Sequence, residues 1–230
     1  MAFMSLRLLA TVVIGLALAL PGTAGAASGP KRVQALAAAQ TVYLFAHLTQ
    51  EQSASPRVCG AGQPSSGFFG FFLLPTLSFS PGDQNFHCRI TTRTVVLDLS
   101  GSTVTEDASG VPYEFADGTK LLFERRNLER ICDDVGPRFF PAPSPATLDG
   151  NPIAGTAVTT PTFPVPIHRT APLTFWADSV ALGHPGVLWS TFCGWKAELR
   201  LTPGKHVILV DHSRLFGGTS TKFRYDITVR

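Results

Sequence analysis

The sequence lacks the short motifs that mark common hydrolases and metal proteins. It contains no Gly-x-Ser-x-Gly elbow, no His-Glu-x-x-His zinc motif and no calcium-loop pattern. It also has no Cys-x-x-Cys pair, which argues against thiol–disulfide exchange and against a zinc knuckle. The formal net charge is only +3, so composition alone gives no case for a nucleic-acid partner. We therefore expect no cofactor and no metal ion, assign no catalytic residue, and favour a protein that is not an enzyme.

The first 26 residues have the three-part order of a secretory signal peptide. Arg7 precedes an apolar stretch from residue 8 to residue 20, and small residues follow up to Ala26. The apolar stretch is shorter than the roughly 20 residues that a permanent membrane helix needs. We predict cleavage after about Ala26 and a secreted or extracytoplasmic product over 27–230, without a stable membrane span.

Four cysteines follow the predicted signal: Cys59, Cys88, Cys132 and Cys193. An even number of cysteines in an exported protein indicates two disulfide bonds, which can be paired in three ways. Sequential pairing, Cys59 with Cys88 and Cys132 with Cys193, closes the shortest loops. We favour that pairing, and the other two remain open.

Most of the chain alternates between apolar and polar residues, as β-strands do. The clearest case is the last strand, where Phe223, Tyr225, Ile227 and Val229 alternate with polar residues. The segment 205–211 is predicted to be a strand buried on both faces. Further strands are predicted around 95–99 and 195–201, with tight turns at 116–118 and 148–150. The pattern predicts a single mainly β domain over 27–230, a jelly-roll-like β-sandwich.

Helical spacing is limited to two segments. The apolar residues between Lys31 and Leu48 predict an N-terminal amphipathic helix, and Leu128 and Ile131 predict a short internal helix over 126–132. Half of the 18 prolines fall in 137–172, which predicts an extended connection with edge-strand fragments.

The aromatic run Gly67-Phe68-Phe69-Gly70-Phe71-Phe72-Leu73-Leu74 is the most unusual feature of the composition. A buried strand with a glycine bulge is the favoured interpretation. An exposed apolar patch for a lipid, a partner or a glycan is the alternative.

Several spaced motifs resemble an uncharacterised family of secreted bacterial β-sandwich proteins. They are Cys59-Gly60-Ala61-Gly62-Gln63 with the aromatic run and Cys88, then Asp149-Gly150-Asn151-Pro152-Ile153, then Gly194-Trp195, and finally Pro203-Gly204-Lys205-His206. The resemblance covers roughly residues 40–230 and implies a secreted β-sandwich, not an activity. The chain departs from the family in its first helix, where Tyr43 and Phe45 stand in place of expected tryptophans.

Three residues of these motifs, Gln63, Trp195 and His206, are candidates for a ligand-binding face. Trp195 could stack on a sugar, although single tryptophans in a sandwich usually pack. His206, at a strand entrance, is more typical of an ordering hydrogen-bond partner. It lies about 20 Å along the strand from His212, so the two cannot share a metal ion.

The favoured function is that of a non-enzymatic extracytoplasmic binding or cell-envelope interaction domain for an unknown ligand. One alternative is a secreted hydrolase, for example on glycans, with a site built from loops. A serine beside a buried histidine or acid in a polar cleft would favour that alternative. A lipid or small-molecule carrier that uses the aromatic interior is the other.

Overall fold

The mainly β chain is described by a computed structural model over residues 30–47, 72–73, 82–91, 93–167 and 173–230. Three α-helices are α1 (Pro30–His47), α2 (Leu128–Phe139) and α3 (Leu173–Ala181). The strands are β1 (Phe72–Leu73), β2 (Gln84–Ile90), β3 (Thr94–Thr105), β4 (Tyr113–Glu114), β5 (Lys120–Leu121), β6 (Ala146–Leu148), β7 (Asn151–Pro152), β8 (Thr156–Thr159), β9 (Phe163–Pro166), β10 (Val187–Arg200), β11 (Gly204–Asp211) and β12 (Lys222–Val229). Short 3-10 helices cover Arg125–Asn127 and Ser213–Phe216.

Sheet I is built on the long antiparallel pair of β3 and β10. Its order is β1-β3-β10-β8, and β9 also pairs with β10. The β3–β10 ladder shifts register between Trp195 and Lys196. Just before the shift, Gly194 faces Gly101 across the ladder at φ 154°, and a Cβ there would lie 2.2 Å from the Ser100 carbonyl oxygen. Only glycine allows this close approach of two backbones.

Sheet II has the order β2-β12-β11-β6-β7. Strands β11 and β12 form an antiparallel hairpin, whereas β12 and β2 are parallel. Strands β1 and β3 are also parallel. These two parallel pairs depart from the antiparallel order that a jelly roll has.

The inner faces of the two sheets share one hydrophobic core. The buried alternation predicted for the last strand is confirmed, since its four apolar residues are at most 3% exposed. Phe86 stacks on Tyr225 with ring centroids 4.9 Å apart. Sheet I contributes Val95, Leu97, Leu99, Ala197 and Leu201 to the same core.

Helix α2 covers the same face of sheet I beyond that core. Leu128 and Ile131 are fully buried there against Val104, as predicted. The predicted end of this helix at residue 132 is wrong, because the helix continues to Phe139 with Pro137 inside it. Helix α3 was not predicted from the sequence. It begins directly after the proline-rich connection.

The Cys132–Cys193 disulfide of the favoured pairing is confirmed, and it ties α2 to β10 with a Cα–Cα distance of 5.5 Å. Cys88 is disulfide-bonded as well. Cys59 lies outside the described residues, together with Gln63, the predicted signal and all of the aromatic run except Phe72 and Leu73.

Strand β11 is predicted to be buried on both faces, and that prediction is wrong. Ile208 and Val210 point into the core, but Leu209 is 42% exposed and Lys205 is exposed. Among the described residues no element covers this outer side of sheet II, so the second apolar row of the strand faces solvent.

Helix α1 lies on the opposite face of sheet I, and polar contacts attach it. Arg32 binds Glu198 with both Nε and Nη2, at 2.7–3.0 Å. Lys196 is 1% exposed, and its Nζ lies 2.9 Å from Asp98 Oδ2 and 2.7 Å from Gln40 Oε1. Burial lowers the pKa of Lys196, and Asp98 acts against that shift. The lysine therefore forms a buried ion pair within sheet I and joins the helix to the sheet through its hydrogen bond to Gln40.

Replacing Lys196 by Met is expected to destabilise the protein by about 3–5 kcal/mol, because it leaves Asp98 without its cation in a largely buried position. The double variant K196M/D98L removes both charges and is expected to recover most of the loss. Urea unfolding of the two variants and the wild type measures this. Equal destabilisation in the single and double variants would show that the ion pair is not the cause.

Removing the bond between Cys132 and Cys193 is expected to lower the free energy of unfolding by about 4 kcal/mol, since the two residues are 61 positions apart. The variant C132A/C193A keeps both positions small and apolar. Thermal unfolding against the oxidised wild type gives the difference. An unchanged melting temperature would contradict a stabilising role for this bond.

Candidate functional site

The outer face of sheet II carries a depression with a volume of about 630 Å³. It lies at the end of the sheet where β2 and β12 stop and β11 begins. The side chains that define its chemistry are His87, Arg89, Lys205, Val207, Asp226 and Thr228. All six stand on three neighbouring strands of sheet II, so the sheet holds their backbones in fixed positions.

The register of the three strands places these residues in two rows. Arg89 is opposite Thr228, and Thr228 is opposite Lys205. The second row runs from His87 through Asp226 to Val207. Because neighbouring strands are about 4.8 Å apart, the Cα atoms of Arg89 and Lys205 are separated by about 10 Å, with the Thr228 hydroxyl between them.

Among the described residues, Asp226 in the depression has cationic partners, whereas Arg89 and Lys205 have no acidic partner. Arg224 donates two side-chain N–H groups to Asp226 Oδ1, at 2.8 and 3.1 Å, and His87 Nδ1 lies 3.5 Å from the other carboxylate oxygen. Arg89 and Lys205 are exposed and form no salt bridge or side-chain hydrogen bond within the described part of the chain. Among the described residues, the depression therefore offers two cations without an acidic partner beside an acid that is already neutralised.

His206 fixes the start of β11 next to Lys205. Its Nδ1 lies 2.7 Å from Asp149 Oδ2, and its Nε2 lies 2.8 Å from the Thr202 carbonyl oxygen. Both partners are hydrogen-bond acceptors, so both ring nitrogens donate when the imidazole is protonated. The hydrogen bond to Asp149 raises the pKa of His206, and it lowers the pKa of Asp149. The other oxygen of Asp149 accepts the backbone N–H of Val207, at 2.8 Å.

Two of the three predicted ligand-face residues, His206 and Trp195, lie in the described part of the chain. His206 borders the depression. Trp195 packs against the shared core, and its indole N–H donates to the Phe140 carbonyl oxygen at 2.8 Å. Gln63 lies outside the described residues. A ligand face that includes Gln63 and Trp195 remains a prediction.

Sequence analysis missed Arg89 and Lys205 as a pair. The outward positions of their strands were readable from the alternation, since Arg89 alternates with Cys88 and Ile90. What was missing was the parallel register of β2 on β12, which places residues that are more than a hundred positions apart in one row.

A buried serine–histidine pair lies away from the depression. Ser144 Oγ is 3.0 Å from His212 Nδ1, and the two residues are 7% and 5% exposed. His212 Nε2 has no hydrogen-bond partner among the described residues, and burial lowers the pKa of the ring. Neither residue lines the depression. Asp98 and Asp211 act on the pKa of His212 against the effect of burial, but within the described ranges neither is hydrogen-bonded to the ring. The pair therefore does not form the open polar cleft that the hydrolase hypothesis requires.

A histidine–carboxylate pair, His184 and Glu106, lies at the end of sheet I that is opposite the depression. Glu106 Oε2 accepts the backbone N–H of Trp189 at 2.9 Å and lies 2.9 Å from His184 Nε2. The carboxylate thus accepts the backbone hydrogen bond that a further residue of β3 would accept in the ladder. These two contacts fix the end of the strand and the loop that carries His184.

The described residues contain no group of three or more His, Cys, Asp or Glu side chains that could hold a metal ion. Within the same ranges, none of the helices has both the length and the apolar character needed to cross a membrane. Comparison of the chain with protein-family models, with curated proteins and with solved structures gives no match. The resemblance drawn from the sequence motifs therefore stays an expectation.

His206 and His212 are expected to shift stability with pH in opposite directions. The raised pKa of His206 means that its contribution is complete below pH 6.5 and is lost as the pH rises through the folded value. The lowered pKa of His212 means that stability is lost as the pH falls from 6.5 towards its folded value.

Urea unfolding between pH 5 and pH 9 separates the two histidines. The variant H206Q should fall below the wild type most at acid pH and approach it at alkaline pH. The variant H212Q should lose less stability than the wild type on acidification. A deficit of H206Q that grows with pH would contradict the protonated state assigned to His206.

Proposed function

We propose that the chain is a non-enzymatic extracytoplasmic binding domain, a β-sandwich whose depression on sheet II binds an anionic group such as a carboxylate, phosphate or sulfate. One observation carries the proposal. Arg89 and Lys205 stand about 10 Å apart on a rigid sheet, flank a threonine hydroxyl, and have no acidic partner among the described residues.

The chemistry of the pair suits an anion. A guanidinium group presents a planar fork that binds two oxygens, and an ammonium group adds a point charge with rotatable donors. The hydroxyl of Thr228 can donate to the same ligand. The strands hold these groups in place, so little conformational freedom of the backbone is lost on binding.

The surroundings support a place outside the cytoplasm. The Cys132–Cys193 disulfide forms in oxidising compartments, which agrees with the export signal predicted from residues 1–26. The strand framework and the disulfide together give a rigid body with a polar, exposed binding face. That combination of a fixed strand framework and exposed cations fits the binding of an anion.

Replacing Arg89 and Lys205 by Gln is expected to weaken the binding of citrate, a small polyanion used as a probe, by about tenfold or more, since hydrogen bonds to charged groups contribute about 1.5–3 kcal/mol. Isothermal titration calorimetry at low ionic strength measures the affinity. The control R126Q/R214Q removes the same charge from two exposed arginines at the other end of the strands.

The two variants separate a local site from a general charge effect. The control should keep the wild-type affinity for citrate. Equal weakening in both variants, or the absence of citrate binding to the wild type, would overturn the proposal. Near-ultraviolet circular dichroism of each variant establishes that the fold is retained.

A further inference from the structure

The depression opens onto one end of the two-sheet body, where strand ends from both sheets meet. Strands β2 and β12 end there and β11 begins, while in sheet I strand β10 ends and β3 begins. Three residues connect β10 to β11, and three connect β2 to β3. Connections this short keep the five strand ends together, across a sheet separation of about 10 Å.

Five basic side chains lie at this end, which we call the basic end: Arg89, Arg93, Arg200, Lys205 and Arg230. Two backbone hydrogen bonds tie the surface together, from Leu201 N–H to the Arg93 carbonyl and from Arg230 N–H to the Ile90 carbonyl. All five basic residues are exposed. Within the described ranges none of them forms a salt bridge or a side-chain hydrogen bond.

The acids near the basic end are already bound by other cations. Glu198 is held by Arg32 at 2.7 Å, and this hydrogen bond lowers the pKa of Glu198. Asp149 is held by His206 at 2.7 Å, and Asp226 by Arg224 at 2.8 Å. Five exposed basic side chains without a salt bridge to another described residue therefore stand at one end of a chain whose formal net charge is only +3, although Arg200 also helps to lower the pKa of Glu198. Such a local field attracts anions even when the whole protein is nearly neutral.

We propose, building on the proposed function, that the basic end binds an acidic polysaccharide chain that lies in the depression and continues across the strand ends to Arg93 and Arg200. The positive charges extend over two sheets, which is more than one small anion can contact. Arg200 follows Lys196 and Glu198 on the face of sheet I that carries helix α1, so the ligand must bend over the strand ends to reach it. A chain with repeated carboxylates that bends in this way can meet cations on both sheets at once, and the binding contributions of linked groups multiply.

The arrangement of polar groups inside the depression favours a sugar polymer over a denser polyanion. Arg89 and Lys205 stand about 10 Å apart with the Thr228 hydroxyl between them, a spacing that suits charges separated by hydroxyls. A polysaccharide alternates carboxylates with hydroxyls, and a hydroxyl can donate to Asp226 or to the Thr228 oxygen. A lipid surface fits less well, because the most exposed apolar side chains, such as Val111 and Phe139, belong to other parts of the protein.

Oligogalacturonates of defined length test the proposal, with galacturonate, the trimer and the nonamer titrated by calorimetry into the oxidised protein. The nonamer should bind the wild type about tenfold or more tightly than the trimer, because it reaches both sheets. The variant R93Q/R200Q should keep the trimer affinity and lose the gain with length. The variant R89Q/K205Q should lose both, and the control R126Q/R214Q neither. Binding of the nonamer should also weaken with salt.

The outcomes distinguish this inference from the proposed function. If citrate binds through Arg89 and Lys205 but affinity does not rise with oligomer length, the assignment of a polysaccharide ligand is overturned and the proposed anion site stands. If citrate does not bind at all, the proposed function fails first. Equally tight binding of phosphatidylglycerol vesicles or of a single-stranded oligonucleotide would show general attraction of polyanions and would overturn the assignment to a polysaccharide. Maltononaose, which is neutral, should not bind.

Discussion

Strand β10 is buried on both faces, and every layer of the structure packs against it. One face carries Phe192 and Lys196 and lies under helix α1. The other face carries Cys193, which is bonded to α2, and then Ala197 in the core shared with sheet II. Around Lys196 the strand has no solvent-facing side for a charged residue. The lysine on it is therefore neutralised by Asp98 of the neighbouring strand and bonded to Gln40 of the helix.

The same strand determines where the exposed charges collect. It leaves sheet I at Arg200 and enters sheet II as β11 at Gly204, so the ends of the two sheets coincide. Glu198 and Asp149 lie next to this crossing, and each is occupied by a specific partner, Arg32 or His206. The basic end results from this combination: the cations stand on strand ends and loops, while the nearby acids are used to hold the helix and the hairpin in place.

Local patterns predicted the elements well. The alternation of the last strand, the helix at 31–48 and the inward side chains Leu128 and Ile131 follow from periodicity, which depends on neighbouring residues only. Turns at 116–118 and 148–150 were readable from Asp-Gly pairs, and the structure places a hairpin at each. The favoured pairing of Cys132 with Cys193 followed from loop length.

Features that depend on distant residues could not be predicted. Leu209 looked buried because its neighbours are apolar, but exposure depends on whether another layer covers the sheet. Helix α3 was missed because the prolines before it favoured extended chain. The candidate site shows the same limit. Arg89 and Lys205 are separated by more than a hundred positions, and only the parallel pairing of β2 with β12 makes them neighbours of Thr228.

Amide chemical-shift mapping by nuclear magnetic resonance is the most direct measurement of the central claim, that one end of the strands is an anion-binding surface. With the galacturonate nonamer added to the ¹⁵N-labelled oxidised protein, the account predicts shifts confined to residues 87–93, 200–207 and 226–230. Shifts centred on Glu106 and Trp189 at the opposite end, or on the buried pair Ser144 and His212, would contradict it.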